Sequence, residues 1–253
     1  HRAKDRTGFG RYGFGLPSAA VSISKHYEVY SRTNGFGWHK VVIDLPEICA
    51  GKYTNDKGIV IAPPAMKADI PGFVKEYLGK RELTHGTIIL LSRPDRLSTG
   101  YRRPSGFHKS LMQHIGLVYR HVLRSCALYV NTEKIQPVDP LFLDPAARFY
   151  DVGNGVFAEP REELQFEVKS SNGKVGRVKF RFSCMSPDFQ VSEIDGNTTT
   201  NERLKIMKET EAYFIVCRAG RQIDLVQKAQ FSKDAFNKQL QNYDRNWAVE
   251  IDF

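Results

Sequence analysis

Four glycines fall within eight residues near the start of the chain, in Gly8-Phe9-Gly10-Arg11-Tyr12-Gly13-Phe14-Gly15-Leu16. Pro17-Ser18-Ala19-Ala20-Val21-Ser22-Ile23-Ser24 follows and reads as a helix start. Glycines alternating with bulky residues ahead of a helix expose consecutive backbone N–H groups, and the helix dipole adds its positive end. Such a loop can wrap an anion, so the sharp reading is a phosphate-binding loop. A tight connection needing positive φ at several points accounts for the same glycines without a ligand. Three other groups carry chemistry in principle. His108, His114 and His121 suggest a metal triad, but at about 100° per residue only His114 and His121 share a helix face. No carboxylate is spaced to complete a site there, and a surface or half-buried histidine pair is the plainer reading. Arg93, Arg96, Arg102 and Arg103 surround Tyr101 in a basic-aromatic loop suited to nucleic acid or a partner. Arg177, Lys179 and Arg181 form a row that could touch phosphates or pair with Glu163 and Glu167 on a neighbouring strand.

These groups need elements to position them. Lys25 to Ser31 alternates with Tyr27 and Val29 on one face, Asn34-Gly35 is a hairpin turn, and Trp38 to Leu45 is the return strand. Ile70, Phe73, Val74, Tyr77 and Leu78 are spaced as a short amphipathic helix after the Pro63-Pro64 break. Thr87 to Ser92 is an apolar strand entered through Gly86. Phe107, Leu111, Ile115, Val118 and Val122 then give a helix, followed by a strand over Ala127 to Ile135. Pro137, Pro140 and Pro145 mark a change of composition, with Asp139-Pro140 and Asp144-Pro145 as turn formers, and a domain boundary is placed near residue 150. Beyond it, Leu164-Phe166-Val168 and Val178-Phe180-Phe182 define two strands with one buried face each. Residues 192–202 read as a polar loop. Tyr213 to Cys217 and Gln222 to Val226 form a hairpin turning at Ala219-Gly220, a short helix covers 232–240, and Trp247 to Phe253 is a last strand.

The glycine pattern has several known users. Gly8-x-Gly10-x-x-Gly13 matches the dinucleotide fingerprint, but no hydrophobic strand precedes it and a hairpin follows it. A kinase loop requires valine where Gly15 stands, and a Walker loop requires a terminal Gly-Lys-Ser/Thr. What remains is Gly10-x-x-Gly13-x-Gly15, a small-residue helix and an antiparallel hairpin. In this the chain resembles the GHKL ATPases, the group of gyrase-type topoisomerases, ninety-kilodalton heat-shock chaperones, histidine kinases and MutL. The stretch Gly10-Arg11-Tyr12-Gly13-Phe14-Gly15-Leu16-Pro17-Ser18-Ala19 is most similar to the MORC-type and prokaryotic MutL-like branch. Thr84-His85-Gly86-Thr87-Ile88-Ile89-Leu90 resembles the family's Gly-Thr motif. Tyr129 to Ile135 resembles its closing strand pair, and residues 151–253 resemble part of a transducer domain of the ribosomal-protein-S5-like fold.

The resemblance implies an α+β chain: the C-terminal part of a Bergerat-type sandwich over residues 1–150, then a partial transducer over 151–253. It implies ATP with Mg²⁺ as cofactors. Gly10, Arg11, Tyr12, Gly13, Phe14, Gly15 and Leu16 would hold the phosphates as the end of an ATP lid, and Thr87 would reach toward the adenine. It further implies a homodimer closed by ATP and DNA-linked work in repair, chromatin or defence, with DNA and a companion nuclease or helicase as partners. The family's general-base Glu, Mg²⁺-binding Asn and Asp-x-Gly loop precede the lid and have no counterpart after His1. Its γ-phosphate lysine is expected beyond Phe253, with Lys228, Lys233 and Lys238 near it but reading as solvated surface lysines. These 253 residues alone are therefore expected not to hydrolyse ATP.

The totals are consistent with such a chain. A hydrophobic share of 41% supports a real core, and a net charge of +9 suits a polyanionic partner. No apolar run reaches membrane-spanning length. Cys49, Cys126, Cys184 and Cys217 are far apart and read as buried thiols of a reducing cytoplasm, or of a nucleus in a eukaryote. The alternative to an ATPase is a non-enzymatic basic α+β module that binds nucleic acid or a protein, with a purely structural glycine loop.

Overall fold

The computed structural model describes residues 13–79, 81, 83–96, 104–153, 155–190, 198–211, 213–228 and 246–253. The chain is α+β and divides into two compact units, His1–Arg102 and Arg103–Phe253. Among the described residues no helix is long and apolar enough to cross a membrane.

In the first unit, α1 (Gly15–Ile23) leads into β1 (His26–Arg32) and β2 (His39–Asp44), as their alternation and the Asn34-Gly35 turn predict. Gly35 sits at φ +79, a conformation that glycine adopts without Cβ strain. Then come α2 (Leu45–Cys49), β3 (Met66–Lys67), α3 (Gly72–Leu78) and β4 (Gly86–Ser92). The sheet is antiparallel in the order β3-β2-β1-β4. Strand alternation gives it two distinct faces. Tyr30, Trp38 and Ile70 are buried together, with Val74, Leu78 and Ile88 packed on them. The other face of β1 and β4 carries Tyr27, Val29 and Ser31 in register with Leu91, Ile89 and Thr87. Ile89 is 46% exposed, so this second face is open along β4.

The α3 stripe splits in a way the apolar spacing does not show. Val74 and Leu78 lie one above another and pack with Ile70, which precedes the helix, whereas Phe73 and Tyr77, one residue off that line, are exposed.

The second unit begins with α4 (Pro104–Val118), a 3₁₀ turn at Val122–Arg124, and the small hairpin β5 (Tyr129–Val130) and β6 (Glu133–Lys134). It continues through β7 (Glu159–Pro160), β8 (Leu164–Lys169), β9 (Val175–Cys184), α5 (Thr198–Glu211), β10 (Tyr213–Arg218), β11 (Arg221–Gln227) and β12 (Trp247–Asp252). The sheet order is β11-β10-β12-β9-β7, with β8 also on β9 and β10 parallel to β12. Its core joins Leu141, Phe142 and Phe149 to Ile206 and Met207 of α5 and to Ile215 and Ala248 of the sheet. Asp139 is buried and accepts the N–H groups of Leu141, Leu143 and Asp144, so it folds the proline-rich turn. The Ala219-Gly220 turn is as expected, with φ of +51 and +74.

Several expectations are corrected here. The helix ends at Val118 rather than Val122, where the chain tightens into 3₁₀ geometry. The strand read over 127–135 is two short strands, because Asn131 takes φ +55 and reverses the chain. Residues 198–202 belong to α5 and not to a polar loop. Burial of Arg203, Leu204, Ile206 and Met207 holds that helix, whose weak local propensity is confined to its opening Thr198-Thr199-Thr200-Asn201. Strand β8 does pair with β9, and Lys179 reaches Glu163 at 2.5 Å. Yet Leu164, Phe166 and Val168 are 42–51% exposed, so β8 has no fully buried face. Cys49 and Cys126 are exposed, and only Cys217 is buried. The expected helix at 232–240 lies outside the described residues.

Candidate functional site

Gly10, Arg11 and Tyr12 lie outside the described residues. The rest of the loop is on view. Gly13 has φ +75, and among the described residues a Cβ built there or on Gly15 meets nothing within 4 Å. The left-handed angle excludes a comfortable substitute for Gly13. Phe14 is the N-cap residue of α1 but makes no side-chain cap, and the first turn carries no acid. Helix N-terminal N–H groups without a side-chain acceptor attract an anion. Pro17, in the first turn, has no N–H to satisfy, and Ser18 already donates to the Phe14 carbonyl at 3.0 Å. Among the described residues, the donors left open are those around Gly15 and Leu16. This set fits a phosphate.

Thr87 follows Gly86, which takes φ +142 at the start of β4. It is exposed, pairs with Ser31, and stands on the open face of the sheet with Val29 and Ile89. Among the described residues no hydrogen bond joins Thr87 to Gly13–Leu16. At the other end of β4, the Ser24 hydroxyl donates to the carbonyls of His26 and Ser92, and Asp95 N–H donates to Ile23. These bonds tie the C-terminus of α1 to that end of β1 and β4. His26 Nδ1 meets Asp44 Oδ2 at 2.9 Å beside a 210 Å³ hollow lined by Lys25, Arg93 and Asp95. That bond, and the Glu47 N–H on Asp44 Oδ1, hold the Asp44 carboxyl below its ordinary range. The lining charges balance, which leaves little net pull on an ion.

A second cluster was not legible in the sequence. Glu250 of β12 is buried and takes bonds from Arg120 Nε at 3.0 Å, from Arg120 Nη2, from Arg181 Nη1 at 3.0 Å and from His121 Nε2 at 3.1 Å. Burial alone would push its carboxyl up. The His121 hydrogen bond and the charges of Arg120 and His121 overcome that and hold it well below the usual range. A His121 ring nitrogen, Cys217 Sγ and a Glu250 oxygen lie within 4.8 Å of one another, a spacing a metal could use. The chemistry is wrong for one. Two guanidiniums and the His121 ring already occupy the carboxylate, and Arg120 Nη2 donates to Cys217 Sγ at 3.2 Å, so the donors are taken by protein partners; burial pushes the Cys217 thiol up to about 12. The cluster is an ionic anchor between the turn after α4 and the sheet.

The three histidines take separate surroundings: His108 faces Glu133 at 3.7 Å, His114 is exposed, and His121 serves Glu250. Lys228 is not a solvated lysine. It is buried, with its ammonium 3.4 Å from the Trp247 ring centroid and donating to the Trp247 carbonyl at 3.2 Å. Lys233, Lys238, Tyr101, Arg102 and Arg103 lie outside the described residues.

The chain matches no protein-family model and no curated protein.

Proposed function

We propose that this chain is the ATP-binding portion of a GHKL-type ATPase: the C-terminal part of a Bergerat-type sandwich followed by a partial S5-like transducer. The observation that carries the reading is the left-handed Gly13 one residue ahead of a helix start that, among the described residues, has no side-chain cap and no acid in its first turn. Support also comes from the order of elements. The helix feeds an antiparallel hairpin, and a Gly-Thr strand joins that hairpin with Thr87 exposed on an open sheet face.

In this reading the backbone around Gly13, Phe14, Gly15 and Leu16 holds the phosphates, and the Thr87 hydroxyl orients the adenine. Bound ATP supplies the γ-phosphate contacts that bias the lid toward its closed, dimeric state. Mg²⁺ accompanies the nucleotide, with its ligand outside the residues named here. The work done by the cycle is DNA-linked, and the chain's +9 charge suits that setting.

The test is a size measurement on the complete gene product with a non-hydrolysable ATP analogue. The expected result is a doubled mass and a raised Tm, both lost in Gly13→Val. An analogue that changes neither mass nor Tm overturns the reading.

A further inference from the structure

On the face of the first sheet opposite Thr87 lies a cavity of about 400 Å³. Trp38 and Leu78 form apolar wall, and Arg32, Lys75, Arg81 and Thr84 add the polar lining. The three cations come from separate elements: β1, α3 and the chain just after α3. Arg32 is half-buried and fixed by carbonyls, with Nε donating to Phe36 at 2.9 Å and Nη1 to Leu83 at 3.2 Å. Carbonyls orient a guanidinium without cancelling its charge. Among the described residues, neither Arg32 nor Arg81 forms an ion pair with a carboxylate. Lys75 has only Asp69, at 3.9 Å, and that side chain is 91% exposed. A contact so exposed is screened and neutralises little.

We propose that this cavity is a phosphate-binding site, distinct from the glycine loop, for a phosphorylated ligand bearing at least two negative charges. A fixed guanidinium with two further cations lining the same cavity suits an oxyanion better than an apolar ligand. The volume exceeds what one phosphate needs, so the rest of the ligand has room against Trp38 and Leu78. The shared chemistry fits a small polyphosphate and the backbone of a nucleic-acid strand alike.

The test titrates the full chain with sodium pyrophosphate and, separately, with a fluorescent single-stranded oligothymidylate of about twelve nucleotides. The Trp38 indole resonance reports occupancy in both arms. Lys75→Gln/Arg81→Gln, at exposed positions, is expected to weaken binding about tenfold with Tm unchanged. Arg81→Gln alone is measured beside it in case the pair perturbs folding. Lys169→Gln/Lys174→Gln, which removes the same charge at the β8–β9 turn, is expected to change affinity by less than about twofold. Pyrophosphate that binds and displaces the strand identifies a small phosphorylated ligand. A strand that binds where pyrophosphate does not identifies the backbone. Equal weakening in the two double variants, or no Trp38 response in either arm, overturns the proposal.

Discussion

Glu250 is the residue on which the second unit's ionic order depends. It answers Arg120, Arg181 and His121 at once, and each loses this buried anionic partner if the carboxylate is neutralised. Breaking a buried pair from one side leaves charge unpaired, so Glu250→Gln is expected to cost about 3 kcal/mol in urea unfolding. Its folded pKa is depressed, so its contribution is complete above the ordinary 4.5 and is lost progressively as pH falls below it. The stability difference between parent and variant should therefore shrink on acidification from pH 5, and a constant difference would contradict the assignment. Lys228 has the opposite sign. Burial pushes its ammonium down to about 8 from 10.5, so between those values the unfolded chain holds more protons. Stability is then expected to rise with pH across that window, by on the order of 1 kcal/mol between pH 8 and 9.5. Lys228→Met should lack this rise when chemical unfolding is followed at both pH values.

Helix α4 offers a comparison between two glycines in one element. A Cβ on Gly116 would lie 2.7 Å from the Gln136 carbonyl and 3.1 Å from Val138 Cγ2, while one on Gly106 meets nothing within 4 Å. Gly106→Ala is thus expected to stabilise by about 0.5–1 kcal/mol through helix propensity alone. Gly116→Ala meets backbone that cannot move aside and should destabilise by about 1–3 kcal/mol. Thermal unfolding of the two variants should shift Tm in opposite directions. This close approach also shows what local pattern conceals. β1, β2, β4, β10, β11 and β12 are legible because a period of two and the turns at Asn34-Gly35 and Ala219-Gly220 are local signals. The start of α5 is not legible, since Thr198-Thr199-Thr200-Asn201 are poor helix formers, and burial of Arg203, Ile206 and Met207 further along anchors the helix. The glycine loop announces itself by composition. The Glu250 anchor spans 130 residues to Arg120, and the cavity of Arg32, Lys75 and Arg81 gathers cations from three elements. Neither has a spacing that a linear reading could find.

At the scale of the whole molecule, composition and compactness divide the chain at different places. The prolines put a change of character near residue 150, whereas the compact units meet between Arg102 and Arg103. The reason lies in long-range ties within the second unit. Arg120 and His121 bind Glu250, Val138 donates to the Gly116 carbonyl, and Leu141, Phe142 and Phe149 fill the same core as Ile215 and Ala248. A cut near residue 150 would expose those aromatic rings and leave Glu250 without Arg120, at a cost of several kcal/mol. Limited trypsin digestion is therefore expected to cleave first after Arg96 or Arg102, near the boundary of the two units in the chain, since the Arg103–Pro104 bond resists trypsin. The larger product should begin near residue 103 and keep the near-ultraviolet circular dichroism of Trp247 and its aromatic neighbours. Mass spectrometry of the digest decides the matter: a persistent fragment ending near residue 150 would mean that α4 and its turn belong with the first sheet, and that the Glu250 anchor does not hold the second unit together.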